Sequence, residues 1–153
     1  MKIIEYEKQY KDNFIELNVA WLEKYFVIEK LDYDMLYHVE EFLERGAMVY
    51  FAVESEQVLS TCMVLPHEND LWEICKLATD EKYLGHGAGS AVLKACMDYA
   101  IEHGAKKLTL VTSYILKPAL SLYEKFGFER VPLEDKEYDR ADVQFDYVVS
   151  KQS

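Results

Sequence analysis

Tyr83-Leu84-Gly85-His86-Gly87-Ala88-Gly89-Ser90 joins an apolar segment, Leu71 to Thr79, to an amphipathic one running from Ala88 to about Glu102. Three glycines at alternate positions mark a strand-to-helix turn. Glycine has no Cβ, so the backbone can approach a ligand closely. The first amides of the following helix have no intrahelical acceptor, and the dipole there is positive. The stretch reads either as a cradle for a pyrophosphate or as a tight turn that merely uses glycine. It is not a dinucleotide fingerprint, because the closing position counted from Gly85 or Gly87 is Ser90 or Val92 rather than glycine or alanine. A Walker A loop needs Gly-Lys-Ser/Thr, which is absent.

Outward from this loop the chain alternates clearly. Lys2 to Tyr6 reads as a first strand. Lys8 to about Tyr25 reads as a helix with Phe14, Leu17, Trp21 and Leu22 on one face. A second helix is predicted from about Asp32 to Arg45, capped by Asp32 or Asp34 and ended by Gly46. Met48 to Val53 and Val58 to Leu65 form a hairpin about the polar turn at 54–57. Leu71 to Thr79 is the next strand, then the loop, a helix from Ala88 stopped by Gly104, and a strand from Lys107 to Thr112. Pro118 opens another helix, where its missing N–H costs nothing. Phe128 to Pro132 and Val143 to Val149 are the last strands, joined by the acidic segment from Leu133 to Asp142. Close early strands favour antiparallel pairing, and later ones need helical crossovers. The fold class expected is α/β: one domain over 1–153, a mixed sheet with helices on both faces.

With 153 residues, 50% hydrophobic and 14% aromatic, the chain can build a real core. The net charge of −11 argues against nucleic acid as a partner and is compatible with a cationic small substrate or with ordinary surface charge. No apolar run approaches the ~20 residues of a membrane span, and the N-terminus lacks a signal-peptide core, so a cytoplasmic protein without a membrane partner is expected. Cys62, Cys75 and Cys96 are odd in number with no C-x-x-C, and the four histidines show no ligand spacing, so no metal is expected. Each cysteine reads as a buried small hydrophobe.

Leu84-Gly85-His86-Gly87-Ala88-Gly89 resembles the Arg/Gln-x-x-Gly-x-Gly/Ala loop of the GNAT superfamily of acyl-coenzyme A-dependent N-acyltransferases, with leucine in place of the first residue. Ala119 to Phe128 resembles the A-x-x-L-Y-x-K-x-G-F signature of the same family, and Leu116 stands where many members have asparagine. The two motifs occur in the family's order, and the resemblance covers nearly the whole chain. It implies a mostly antiparallel sheet with a splayed parallel strand pair, and acetyl-CoA as co-substrate.

The resemblance also implies roles. Leu77 and Thr79 match strand positions that present backbone groups to the pantetheine arm. The stretch Leu84, Gly85, His86, Gly87, Ala88, Gly89 and Ser90 would take the pyrophosphate. Tyr123 matches the tyrosine that protonates the coenzyme A sulfur, and a phenol is protonated at neutral pH. Glu73 matches a general-base glutamate of one family branch. A strand glutamate that only orients structure, with water as base, is the other reading. Lys76 reads as half of a structural ion pair.

The acceptor site would draw on Trp21, Tyr25, Phe26, Glu29, Asp32, Glu134, Asp135, Tyr138, Arg140 and Asp142. Carboxylates and aromatic rings suit an ammonium group, whereas Arg140 would suit a substrate carboxylate. The activity implied is direct acetyl transfer to a primary amine in a ternary complex. A peptide acceptor, a non-catalytic acyl-CoA sensor and an interaction domain with an idle loop are the alternatives. Family habit is compatible with a homodimer.

Overall fold

A computed structural model describes residues 1–134 and 137–150. Its strands are β1 (Lys2–Glu5), β2 (Met48–Glu54), β3 (Gln57–Pro66), β4 (Leu71–Thr79), β5 (Lys107–Thr112), β6 (Glu129–Val131) and β7 (Val143–Val148). Its helices are α1 (Lys11–Tyr25), α2 (Lys30–Tyr37), α3 (Val39–Glu44), α4 (Ala88–Glu102) and α5 (Lys117–Lys125). The strands form one sheet in the order β1-β2-β3-β4-β5-β7-β6. Among the described residues β4 and β5 are the parallel pair, joined through α4, and all other neighbours are antiparallel. The mixed, mostly antiparallel sheet expected from the sequence is the one observed.

The sheet separates two apolar layers. On one face α1 to α3 pack Phe14, Leu36 and Val39 against Val49, Phe51 and Met63. On the other, α4 packs Val92, Leu93 and Cys96 against Leu59, Cys62, Val64 and Leu108. Period-two alternation along β4 sends Trp72 and Ile74 to the α4 side, so Glu73 lies on the opposite face. No described helix is long and apolar enough to cross a membrane.

The structure corrects the second helix. The expected single segment is two, α2 and α3, because His38 leaves helical space at φ −112°, ψ 33°. The buried residues Met35, Leu36 and Val39 continue one helical stripe through the break, so periodicity gives no sign of it. Neither Asp32 nor Asp34 is the N-cap. Glu29 is, and Asp32 completes a reciprocal capping box by accepting from the Glu29 amide at 2.9 Å. In α1 the buried face is Phe14, Asn18 and Leu22 rather than Leu17 and Trp21. Asn18 is tolerated there because its amide donates to the Phe14 carbonyl at 2.9 Å. Cys62 and Cys96 are buried, while Cys75 is partly exposed.

Candidate active site

Gly85 and Gly87 sit at φ 83° and 82°, in the left-handed region that disfavours a side chain. That backbone lifts the loop off β4 and aims α4 back across the sheet. The Leu84 amide donates to Glu81 and the His86 amide to Tyr83, at 3.4 and 3.3 Å. Among the described residues no carbonyl accepts from the amides of Gly85, Gly87, Ala88, Gly89 or Ser90. These amides cluster at the positive end of a 15-residue helix, an arrangement suited to an anion.

The second component is a bulge in β4. Pairing with β3 runs Thr61 to Ala78 and then Met63 to Cys75, so two β4 residues, Lys76 and Leu77, face one β3 residue. Lys76 takes φ 54°, uncommon for a side-chain-bearing residue. The bulge turns β4 away from β5. Their parallel ladder ends at Glu73 with Thr109, yet β5 continues to Thr112. The strands part like a V, and a cavity of about 400 Å³ opens between them.

Leu77, Thr79, Leu84, Gly85, Gly87, Ala88, Gly89 and Ser90 all line this cavity, as do Glu73 and Tyr123. His86 does not line it; its ring meets Tyr83 edge-on at 5.9 Å. Thr79 is fixed by a 2.9 Å contact between its hydroxyl and that of Ser60. Leu84 is half exposed at the loop, and Leu116 also lines the cavity.

Tyr123 is held by Phe128 and Phe145, with ring centroids at 6.1 and 5.9 Å. Burial pushes its phenol well above the ordinary value, helped by the nearby Cys62 and Cys75 thiols. The group is a protonated donor at any physiological pH. Burial also raises the Cys75 thiol that lines the same cavity. A thiolate formed there would be similarly starved of water and correspondingly basic, which narrows the gap to the phenol. Glu73 stands where β4 and β5 part, and its carboxylate contacts His67 Nε2 at 2.7 Å.

The wall facing the loop is a buried ion network. Asp32 is fully buried and accepts from Lys76 Nζ at 2.6 Å and from both terminal nitrogens of Arg140 at 2.7 and 2.8 Å. Burial raises the Asp32 carboxyl, but Arg140 and Lys76 outweigh it and the net shift is downward. Lys76 also donates to the Tyr138 hydroxyl at 3.1 Å, and the Arg140 guanidinium lies 4.1 Å from the Tyr138 ring centroid. Burial pushes the Tyr138 phenol up as well.

Of the acceptor candidates, Trp21, Phe26, Tyr138 and Arg140 line the cavity. Tyr25 meets Trp21 ring to ring, tilted, with centroids 5.1 Å apart, and does not line it. Glu29 caps α2 and accepts from the Asp139 amide and from Arg140. Asp142 accepts from the Tyr114 amide at 2.8 Å, the Glu134 amide donates to Gln144 at 3.1 Å, and Asp135 lies outside the described residues. Arg140 is committed to Asp32 and Glu29 rather than free for a substrate carboxylate. Lys76 has the ion pair expected of it.

The family profile described as Acetyltransferase (GNAT) family matches residues 15–128. The chain belongs to the GNAT acetyltransferase family. A mycothiol acetyltransferase of Corynebacterium glutamicum is 30% identical over 80 residues, which are 52% of this chain and 27% of that protein. This GNAT chain therefore matches only about a quarter of that relative's length. An acetyltransferase of the GNAT family from Staphylococcus aureus Mu50 shares the fold with a TM-score of 0.88 at 20% identity, covering 97% of this chain and 99% of that one. YncA from Salmonella typhimurium, solved with its cofactor acetyl-CoA, gives a TM-score of 0.78 at 16% identity over 100% of this chain and 96% of its own.

Sequence reasoning missed Cys75 in the lining of this GNAT cavity and His67 as the partner of Glu73. Cys75 carried a signal, since its apolar strand precedes the loop. His67 carried none beyond its place in a turn, because its partner Glu73 is brought close only by the return of β4.

Proposed function

We propose that this GNAT chain is an N-acetyltransferase that carries the acetyl group of acetyl-CoA to a primary amine by direct attack in a ternary complex. One observation carries the reading: the amides of Gly85, Gly87, Ala88, Gly89 and Ser90, which find no carbonyl acceptor among the described residues, open onto the same cavity as Tyr123 and Glu73, where β4 and β5 part. The YncA structure, solved with acetyl-CoA on this fold, supports the choice of acyl donor.

Bound acetyl-CoA supplies an activated acyl group. The loop amides hold the pyrophosphate, and the β4 backbone from Lys76 to Thr79 runs along the pantetheine arm. Glu73 takes a proton from the amine, directly or through water, as the C–N bond forms. Tyr123 donates its proton to the sulfur as the C–S bond breaks. The aromatic wall of Trp21, Phe26 and Tyr138 orients the acceptor.

Calorimetric titration with acetyl-CoA, coenzyme A and NADH tests the cradle. Saturable binding of the two coenzyme A species and none of NADH is expected. Thiol release is then followed across a panel of primary amines. Absence of coenzyme A binding refutes the reading outright. Binding without transfer to any amine favours the sensing module, which Leu84 in place of arginine or glutamine would suit.

A further inference from the structure

A second cavity, of about 780 Å³, lies on the Glu73 face of the sheet, bounded by the β3–β4 turn, β5 and the segment before β7. Glu73 is shared: it lines both this cavity and the one between the parted strands. Its Oε1 contacts His67 Nε2 at 2.7 Å, while Oε2 has no hydrogen-bond partner among the described residues. The Glu73 side chain is 15% exposed and that of His67 is 40% exposed. The His67 backbone is fixed by its amide, which donates to the Leu71 carbonyl at 2.7 Å. An inner carboxylate is thus wired through an imidazole to open water.

We propose that His67 is the outer half of a proton relay that carries the acceptor's proton from Glu73 to solvent. The inference rests on the acetyltransferase reading above. In that reaction an ammonium ion and a thioester give an amide, a thiol and one proton. Glu73 receives the proton at the free oxygen while the nitrogen bonds to the acyl carbon and the sulfur leaves. The carboxyl turns that proton to the unprotonated Nε2 of the neutral imidazole, His67 releases its Nδ1 proton to water, and exchange with water restores the starting tautomer. No redox change occurs, and the pair returns to its starting charge.

The surroundings fit this role. Glu68 on the same turn, Glu73 on β4, and Glu134 and Glu137 before β7 line the cavity with His67 and surround it with negative charge. Among the described residues that line the cavity, Lys107 on β5 is the cation, and it is paired with Asp146 at 3.5 Å. The Glu73 contact raises the His67 ring, partial burial opposes it, and the Glu73 and Glu137 charges add to the rise. An imidazole poised beside a carboxylate can gain and lose a proton near neutrality, which a lysine or arginine there would not do.

The test uses the whole chain, acetyl-CoA and an amine that the wild type turns over, with thiol release as readout. His67→Gln keeps a polar contact with Glu73 but carries no proton. His67→Ala leaves a gap open to water. Both should bind acetyl-CoA as the wild type does by calorimetry and lose roughly 10²-fold in kcat, the low end for proton-transfer catalysis. Added imidazole should restore the rate of His67→Ala in proportion to its concentration and leave His67→Gln unchanged. A merely structural pair would not respond to imidazole. His67→Gln with wild-type kcat overturns the relay and leaves the acetyltransferase reading intact. So does a slow His67→Ala that imidazole does not rescue. A wild type that transfers to no amine overturns both.

Discussion

Asp32→Asn removes one charge from the centre of the ion network and leaves its volume unchanged. Asp32 is fully buried, with Lys76 Nζ at 2.6 Å and Arg140 nitrogens at 2.7 and 2.8 Å. Its Oδ2 accepts from both Arg140 and the Glu29 amide. An amide keeps one acceptor oxygen and turns an N–H₂ toward donors on the other side. Breaking a buried pair from one side costs about 3–5 kcal/mol, because the remaining charge stays dehydrated. Arg140 retains Glu29 at 3.4 Å, so the low end, about 3 kcal/mol, applies. For a domain of this size that lowers Tm by roughly 6–12 °C. The carboxyl is depressed in the folded state. Its contribution is therefore fully present above the unfolded value, about 3.9, and is lost as pH falls through the folded value. Circular-dichroism melts of both proteins should differ most at neutral pH and converge in acid. A neutral-pH difference below about 2 °C, under 1 kcal/mol for this size, would refute the reasoning.

Three further outcomes follow from the same geometry. Tyr123→Phe keeps the ring packing against Phe128 and Phe145, so Tm and acetyl-CoA affinity should hold while kcat drops by about 10²-fold or more; wild-type turnover refutes the acid role. Gly87→Ala meets nothing within 4 Å but must hold φ 82°, so it should cost about 1–2 kcal/mol by urea unfolding. Gly89 has no positive φ, and its added Cβ lies 3.2 Å from Thr79 Oγ1 at the cavity wall. Gly89→Ala should leave urea stability close to wild type and weaken coenzyme A binding by calorimetry at least about tenfold, near 1.4 kcal/mol; an unchanged Kd would mean the cofactor does not approach this amide.

The parts of the site legible in the sequence are those in which neighbours along the chain act together. The loop from Gly85 to Gly89 announces itself because glycine is the residue that takes left-handed backbone cheaply, and two of its glycines do. Tyr123 is legible through the helix that bears it. Lys76 is different: it occupies left-handed backbone without being glycine, so residue type gives no warning of the bulge. What holds it there is the contact to Asp32, 44 residues away, and Arg140, 108 residues from Asp32, completes the set. Holding a side-chain-bearing residue in that region costs of order 1–3 kcal/mol and persists only where surrounding contacts over-determine it.

The bulge and the ion network are therefore best understood as one device. The strain at Lys76 parts β4 from β5, and the same lysine's ammonium is gripped by Asp32 at the start of α2. Arg140 binds that carboxylate from the opposite wall while facing the Tyr138 ring. Acidic and aromatic residues that read as an ammonium trap are in part spent on these internal cations. A second group of carboxylates, Glu68, Glu73, Glu134 and Glu137, lines the cavity beside His67. The fold thus sets a neutralised inner wall against an acidic cavity beside His67. That arrangement puts the carboxylate at the parting of the strands, Glu73, on both the cavity between them and the cavity beside His67.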